Sequence, residues 1–368
     1  MSWTTMLGSV VMVGHSLFGM ENPHMLDQLL NARATAPVTV EAQIINGAPL
    51  QYNWDHADSA EGINARVRLR QPVDATIVTE AIPLANHLKW SGTPEAVTQF
   101  YELAIAANPN GQFYIQETWH SLKSGSGEVV EFDDGMKTPW RDRLEQDLPR
   151  WQDVVDTVNA STNGDAVLLP AGQAMARLDD AILAGTVPGL THISDVFADD
   201  IHPNDIGFYY LSLLQYAVLT GDTPVGLPHE LNDRWGAKFD PPSAQLAKRL
   251  QHIAWEAAQG SPTRTALPPE PETLPEEPKI ARLNVPVSDE GTVAPTALRQ
   301  PIAINLAAIA DWSPQVPFLD HFKTARPWVG HLAGQWGGIG HNDLAAAGYL
   351  DPDGWPTAIP PELGSIGT

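Results

Sequence analysis

The sequence predicts an α/β protein in which a parallel sheet of five strands carries helices on both faces. Short apolar runs alternate with helix-length segments over residues 8–222, the pattern of repeated strand–helix units. These segments are long enough for right-handed crossovers, so successive strands run parallel and both faces of the sheet are covered. Hydrophobic residues make up 43% of the 368-residue chain, which is long enough for a core-forming domain of about 200 residues and a further segment.

The individual elements follow from local patterns. Strands are predicted at 9–13, 38–45, 74–79, 112–117 and 166–170. Helices are predicted at 22–30, 93–107, 140–159, 173–183, 203–219 and 241–258. Asn22 is expected to cap the first helix, and the Thr93-Pro94 start suits the second because proline is tolerated in the first turn. A polar, aromatic loop carrying Tyr52, Trp54, Asp55 and His56 is expected after the second strand.

The alternation of strands and helices loosens beyond Gly226. We assign 1–260 to the α/β domain, with its motif-bearing part at 8–222. Six prolines and several glutamates in 261–278 predict a stiff, extended linker, which we place at 261–299. The remaining segment, 300–368, holds four of the twelve tryptophans and no evident closing element. It is predicted to be an incomplete second domain.

Composition excludes several functions. The formal net charge of −23 opposes binding to nucleic acid and to anionic membranes, since both carry negative charge. No cysteine is present, so disulfides and thiol chemistry are excluded. The histidines are too scattered to predict a metal site, and we predict no cofactor. There is no apolar run of transmembrane length. The N-terminus also lacks the basic start and cleavage site of a signal peptide, so we expect a soluble protein whose export signal, if it has one, lies outside this sequence.

A serine near the start of the chain is the candidate nucleophile. Ser16 follows the first predicted strand at Gly14, a strand–turn–helix context that presents a hydroxyl at the edge of a parallel sheet. A serine hydroxyl needs a base, and His202 is the candidate, with Asp199 three residues before it to orient the imidazole. Taken alone, Ser16 would be interpreted as a helix cap, and His202 as a loop histidine that is hydrogen-bonded to water. The Asp-x-x-His spacing and the strands between the two motifs favour catalysis.

These motifs resemble those of the SGNH (GDSL-type) hydrolase family over roughly residues 8–222. Gly14-His15-Ser16-Leu17 stands where the family has Gly-Asp-Ser-Leu, and Asp199-x-x-His202-Pro203 matches its closing motif. The resemblance implies a three-layer, flavodoxin-like fold, with Ser16 as nucleophile, His202 as base and Asp199 as the partner of His202. His15 in place of aspartate is a departure from the family pattern.

The resemblance also implies an oxyanion hole. Its donors would be the N–H groups of Ser16 and Gly47 and the side chain of Asn86, which lies near the family's Gly-x-Asn-Asp position although that glycine is missing here. Gly47 also suits a turn that needs positive φ, and Asn86 suits an ordinary turn about equally well.

The resemblance implies an ester hydrolase, and polar and aromatic residues near the predicted strand ends favour a saccharide substrate carrying O-acetyl groups. The candidate substrate-binding residues are His15, Trp54, His56, Trp119 and His120. No long apolar lid is evident, as a lipid esterase would require. Three alternatives stay open: an O-acetyltransferase acting on a polysaccharide, a lipid or short-chain acyl esterase, and a carbohydrate-binding module with a relict triad.

Overall fold

The computed structural model of the chain describes residues 7–128, 130 and 133–259. The predicted linker at 261–299 and the predicted C-terminal segment at 300–368 lie outside these residues. The boundary at 260 therefore stays a prediction. Within the described part of the chain, no helix is both long and apolar enough to cross a membrane.

The centre of the fold is a six-stranded sheet in the order β3-β2-β1-β4-β5-β6. Its strands are β1 (Ser9–Gly14), β2 (Thr39–Ile44), β3 (Glu61–Gly62), β4 (Ala75–Val78), β5 (Gln112–Gln116) and β6 (Val167–Leu169). All neighbours are parallel except β2 and β3. The five predicted strands are confirmed, and without β3 their order 2-1-3-4-5 is flavodoxin-like. The two-residue β3 strand was missed because it is too short to show a periodic pattern.

Nine α-helices connect and cover the strands in the described region. They are α1 (Glu21–Asn31), α2 (Leu50–Asp55), α3 (Ala65–Arg68), α4 (Leu84–Trp90), α5 (Thr93–Ala107), α6 (Trp140–Thr162), α7 (Ala171–Leu183), α8 (Asp205–Thr220) and α9 (Ala244–Ala258). The six predicted helices are all present. The loop predicted around Tyr52 to His56 is wrong, since most of it forms α2. Helices of four to seven residues such as α2, α3 and α4 offer too few turns for a 3.6-residue pattern to be recognised.

The predicted capping role of Asn22 is also wrong. The first helix begins at Glu21, and Asn22 lies inside it with no solvent exposure. Its amide donates to Ser212 Oγ at 2.7 Å and to Gln215 Oε1 at 2.9 Å, and it accepts from Gln215 Nε2 at 2.8 Å. These buried bonds fasten α1 to α8, because an amide buried without partners would carry a desolvation cost.

Two hydrophobic clusters lie on the two faces of the sheet. Alternate residues of β1 divide between them: Val10 and Met12 enter one cluster, while Val11 and Val13 enter the other. The first cluster includes residues of α1, α7, α8 and α9, and the second includes residues of α5 and most of the buried face of α6. The predicted three-layer α/β fold is therefore confirmed. Because the parallel strands end at one edge of the sheet, residues just after β1, β4 and β5 are brought together there.

Candidate active site

Ser16 lies in a tight turn at the end of β1. The turn is closed by N–H groups of Phe18 and Gly19, which donate to the carbonyl of His15 at 2.9 and 3.2 Å. Gly14 is needed two residues earlier, because a Cβ there would come within 2.7 Å of the Thr79 side chain and 2.8 Å of the Phe18 ring. The buried strand and this turn leave the Ser16 hydroxyl partly exposed at the carboxyl edge of the sheet.

The structure brings Ser16, His202 and Asp199 into one hydrogen-bonded chain. His202 Nε2 lies 2.9 Å from Ser16 Oγ, and His202 Nδ1 lies 2.7 Å from Asp199 Oδ2. Because a carboxylate can only accept, Nδ1 carries the proton and Nε2 is the acceptor for the serine hydroxyl. This is the tautomer that a general base needs.

Asp199 is fixed by the backbone that follows it. Its Oδ1 accepts the N–H groups of Ile201 at 2.8 Å and His202 at 2.7 Å. Partial burial acts to raise the pKa of Asp199, but these two bonds and the His202 ring outweigh it, so the pKa is lowered. Asp199 is therefore ionised at neutral pH and available to stabilise an imidazolium.

The loop that carries Asp199 and His202 is held from the segment after β5. Trp119 Nε1 donates to the carbonyl of Ile201 at 2.8 Å, and the Leu122 N–H donates to the carbonyl of Asp200 at 2.7 Å. The Ser121 hydroxyl also donates to the Asp200 carboxylate. These partners are about eighty residues apart in sequence, so no local pattern identified them.

Trp119 and His120 do not line a substrate cleft as predicted. Trp119 has no exposed surface, and its ring packs edge-on to Phe197 at 6.2 Å. His120 is 3% exposed, with Nε2 located 2.6 Å from Asp147 Oδ2. Both side chains point into the fold, where Trp119 Nε1 and His120 Nε2 have partners, while His120 Nδ1 is buried without one among the described residues. The prediction that these two residues line a substrate cleft was wrong. Their place after a strand end indicates that they lie at this edge of the sheet, but it does not determine the direction of their side chains.

His15 is likewise buried rather than available to a substrate. It is 3% exposed, and its Nε2 lies 3.0 Å from the Glu80 carbonyl. Burial, opposed by that hydrogen bond, lowers the pKa of His15 to about 4. The ring is therefore neutral at pH 7 and serves the structure of the Ser16 turn.

Trp54 in α2 and His56 at its C-terminal end, both predicted to bind substrate, differ in their exposure and contacts. Trp54 is partly buried, packs edge-on to Phe100 at 4.9 Å and lies beneath the Arg66 guanidinium at 5.0 Å. His56 is exposed and stacks on the exposed Tyr52 ring at 3.9 Å. Contact of either residue with substrate stays a prediction.

The predicted oxyanion donors lie on three separate segments. Gly47 is exposed in the turn after β2, with φ of +69° and open space where a Cβ would stand. In the described part of the chain, neither the Ser16 N–H nor the Gly47 N–H takes part in a backbone hydrogen bond. Asn86 lies half-buried in the first turn of α4. Its role as third donor stays a prediction.

No family model matches the chain, and no curated protein matches it. Solved structures with a similar fold include a DUF4886 family protein from Bacteroides uniformis: identity is 15%, the alignment covers 69% of this chain and 95% of that chain, and the TM-score is 0.46. A candidate SGNH hydrolase from Slackia heliotrinireducens shows 20% identity; the alignment covers 59% of this chain and 100% of that chain, and the TM-score is 0.39. A candidate GDSL-like lipase from Parabacteroides merdae shows 13% identity, coverage of 59% and 97%, and a TM-score of 0.40.

The sheet order and the chain order Ser16, Asp199, His202 agree with what the family resemblance implied. The fold is a three-layer α/β sandwich with a flavodoxin-like strand order. The comparisons assign no function to the chain, so its function is argued from its own residues. Among those described, no group of three or more histidine, aspartate and glutamate side chains is arranged to hold a metal ion.

Proposed function

We propose that the chain is a serine esterase that hydrolyses small acyl esters, most specifically O-acetyl groups on carbohydrate. The observation that carries this proposal is the hydrogen-bonded line from Ser16 Oγ through His202 to Asp199, with distances of 2.9 and 2.7 Å. The first distance allows direct proton transfer from the nucleophile to the base, and the second is a hydrogen bond through which Asp199 orients the imidazole.

Acylation follows from this line. Ser16 Oγ attacks the ester carbonyl carbon as His202 Nε2 takes its proton, and the carbonyl oxygen becomes an oxyanion. The C–O bond to the alcohol then breaks, and His202 returns the proton to the leaving oxygen. Asp199 holds the ring and stabilises the imidazolium between these steps. Each donor to the oxyanion is worth about 3 kcal/mol in chemistry of this kind.

Deacylation repeats the sequence with water. His202 removes a proton from a water molecule as the water oxygen attacks the acyl-Ser16 carbonyl carbon. The second oxyanion then collapses, the bond to Ser16 Oγ breaks, and His202 returns the proton to Oγ, which releases the carboxylic acid and restores the serine. A sugar hydroxyl in the place of water would give acetyl transfer instead. The two reactions share every residue of the triad, so only the products separate them.

The exposure of the site favours a short acyl group on a large polar alcohol. The side chains of His202 and Asp199 are 41% and 51% exposed, so the base faces solvent rather than an apolar tunnel. A long acyl chain gains affinity mainly by burying CH₂ groups, each worth about 0.8 kcal/mol, and an open site offers little of that gain. The exposed stacked pair of Tyr52 and His56 offers ring faces of the kind that pack against sugars.

The test is hydrolysis of p-nitrophenyl acetate by the wild type and by Ser16→Ala. We expect the variant to lose turnover and keep its circular dichroism spectrum. Ser9→Ala is the matched control, because Ser9 lies at the other end of β1 and its hydroxyl, among the described residues, bonds only to Asp74. Turnover by Ser16→Ala equal to that of Ser9→Ala would remove Ser16 from the mechanism. Acetate release from acetylated xylan, compared with p-nitrophenyl esters of increasing length, tests the substrate class, and added sugar acceptors reveal transfer.

A further inference from the structure

Glu80 is a buried carboxyl that no catalytic step uses. It stands two residues after β4 and is 1% exposed. One carboxylate oxygen, Oε1, accepts the Leu50 N–H at 2.9 Å and the Ala81 N–H at 2.7 Å. The carbonyl of the same residue accepts His15 Nε2 at 3.0 Å. Glu80 therefore joins three stretches of chain: its own, which includes Ala81, and two that are distant in sequence, at Leu50 and His15.

Each of these stretches carries one of the predicted oxyanion donors. His15 directly precedes Ser16, and its other nitrogen, Nδ1, lies 3.4 Å from the Leu17 N–H on the far side of the nucleophile. Since the ring is neutral and the Glu80 carbonyl only accepts, the proton is on Nε2. The His15 ring thus braces the Ser16 turn against the end of β4.

The other two attachments concern Gly47 and Asn86. Leu50 is the first residue of α2 and comes three residues after Gly47. Ala81 lies in the connection from β4 to α4, whose first turn holds Asn86. Because both N–H groups share one oxygen, any movement of Glu80 displaces the Gly47 turn and the Asn86 segment together.

We propose that Glu80 is a positioning residue that sets the spacing of the oxyanion donors, by tying the Ser16, Gly47 and Asn86 segments to one point. This inference rests on the proposed function. Donors act on a developing oxyanion only within about 2.7 to 3.1 Å of it, so the segments that carry them beyond the strand ends must be held at a fixed spacing. Gly47 itself is exposed and takes part in no backbone hydrogen bond within the described residues.

The cost of placing a carboxyl at this point supports the inference. Burial raises the pKa of Glu80 to about 6, even though the Leu50 and Ala81 hydrogen bonds act to lower it. At neutral pH the site therefore keeps a charge in an unfavourable place. The geometry accounts for this, since the single oxygen Oε1 lies between the two segments and accepts both N–H groups.

The experiment compares two replacements of Glu80 in the full chain. Glu80→Gln keeps an amide oxygen that can accept both N–H groups, whereas Glu80→Met has similar length and no acceptor. We expect Glu80→Met to lower kcat for p-nitrophenyl acetate at least about tenfold with KM within about twofold, because the donors act mainly in the transition state. Glu80→Gln should restore kcat to within about threefold of the wild type.

Glu117→Met is the matched control. Glu117 is also 1% exposed and follows the neighbouring strand β5, but its carboxylate accepts from Gln173 Nε2 on α7 at 2.9 Å and not from the donor segments. It should change stability while leaving kcat of the folded enzyme within about twofold. A folded Glu80→Met variant with the kcat of Glu117→Met would overturn the inference.

Two further measurements keep the outcomes distinct. If wild type and Ser16→Ala turn over the ester equally, the proposed function fails; if Ser16→Ala is inactive and Glu80→Met is as fast as wild type, only the positioning role fails. Should Glu80→Met not fold, His15→Leu replaces it, because that change removes the bond to the Glu80 carbonyl together with the longer contact from the Leu17 N–H. A tenfold lower kcat at unchanged KM in His15→Leu supports the tie, and an unchanged kcat overturns it.

Discussion

Replacing Glu117 with glutamine should change how the stability of the protein depends on pH. Burial is the main cause that raises the pKa of Glu117 to about 8, from an ordinary value of 4.5, and the charge of nearby Asp147 adds to it. Hydrogen bonding from Gln173 opposes the shift. The folded protein therefore holds a proton on Glu117 at pH values where the unfolded chain has already lost it.

The direction and size of the effect follow from proton linkage. Above pH 4.5 the unfolded state binds fewer protons than the folded state, so the free energy of unfolding falls as pH rises towards 8. The slope is about 1.4 kcal/mol per pH unit, which amounts to roughly 3 kcal/mol between pH 4.5 and 7. Glutamine does not titrate, and its oxygen can still accept from Gln173.

Urea unfolding of wild type and Glu117→Gln at about pH 4.5 and pH 7 measures the effect. Between pH 4.5 and pH 7, the free energy of unfolding of the variant should rise by roughly 3 kcal/mol relative to that of the wild type. Titratable groups that both proteins share cancel in the comparison. For Glu80→Gln, the free energy of unfolding should rise relative to wild type by a smaller amount, about 2 kcal/mol. This rise should be complete above pH 6, because the pKa of Glu80 is about 6. A difference between Glu117→Gln and wild type that is the same at both pH values would refute the reasoning.

Three other changes test separate parts of the fold and site. Asn86→Ala should lower kcat about a hundredfold at little-changed KM if Asn86 is an oxyanion donor, and an unchanged kcat would mean a hole with two donors. Trp119→Phe keeps most of the buried ring but removes the hydrogen bond to the Ile201 carbonyl. We expect the free energy of unfolding to fall by about 1 to 3 kcal/mol, and turnover to slow because the loop that carries His202 is held less firmly. Trp151→Phe, at another buried tryptophan, is the control for the loss of buried ring area alone. A chain ending at Gly260 should fold and hydrolyse p-nitrophenyl acetate, and insoluble or inactive protein would show that later residues complete the domain.

The sheet and the triad geometry could be predicted because both depend on strong local patterns. Five buried strands stand out as apolar runs, and the rule that parallel strands end at one edge then places Ser16 among the residues at that edge. The Asp199 to His202 spacing is itself local, and the observed hydrogen bonds from Asp199 to two N–H groups of the same turn explain why three residues suffice. Only the pairing of His202 with Ser16 spans a long sequence distance; it was inferred from the need of a serine for a base, and the family resemblance implies it as well.

The interior polar contacts could not be predicted in the same way. Trp119 and His120 are amphipathic residues at a strand end, and a sequence does not tell whether their polar atoms find partners in solvent or inside the fold. Their actual partners, the Ile201 carbonyl and Asp147, lie 82 and 27 residues away. Glu80 was missed for a related reason: two of its partners are backbone N–H groups, which have no side-chain signature at all.

His15, the departure from the family motif at the nucleophile, is connected to Glu80 by a single contact. Where the family has aspartate before the nucleophile, this chain has His15, and Glu80 follows β4 on the neighbouring strand. His15 Nε2 donates to the Glu80 carbonyl inside the fold. An ionised aspartate at position 15 has no proton to donate, so it would place a buried acceptor and a charge against that carbonyl. The neutral imidazole instead supplies the donor, and its second nitrogen remains to receive the Leu17 N–H. Histidine before the nucleophile is thus the side chain that suits a serine turn braced against the backbone of a neighbouring strand.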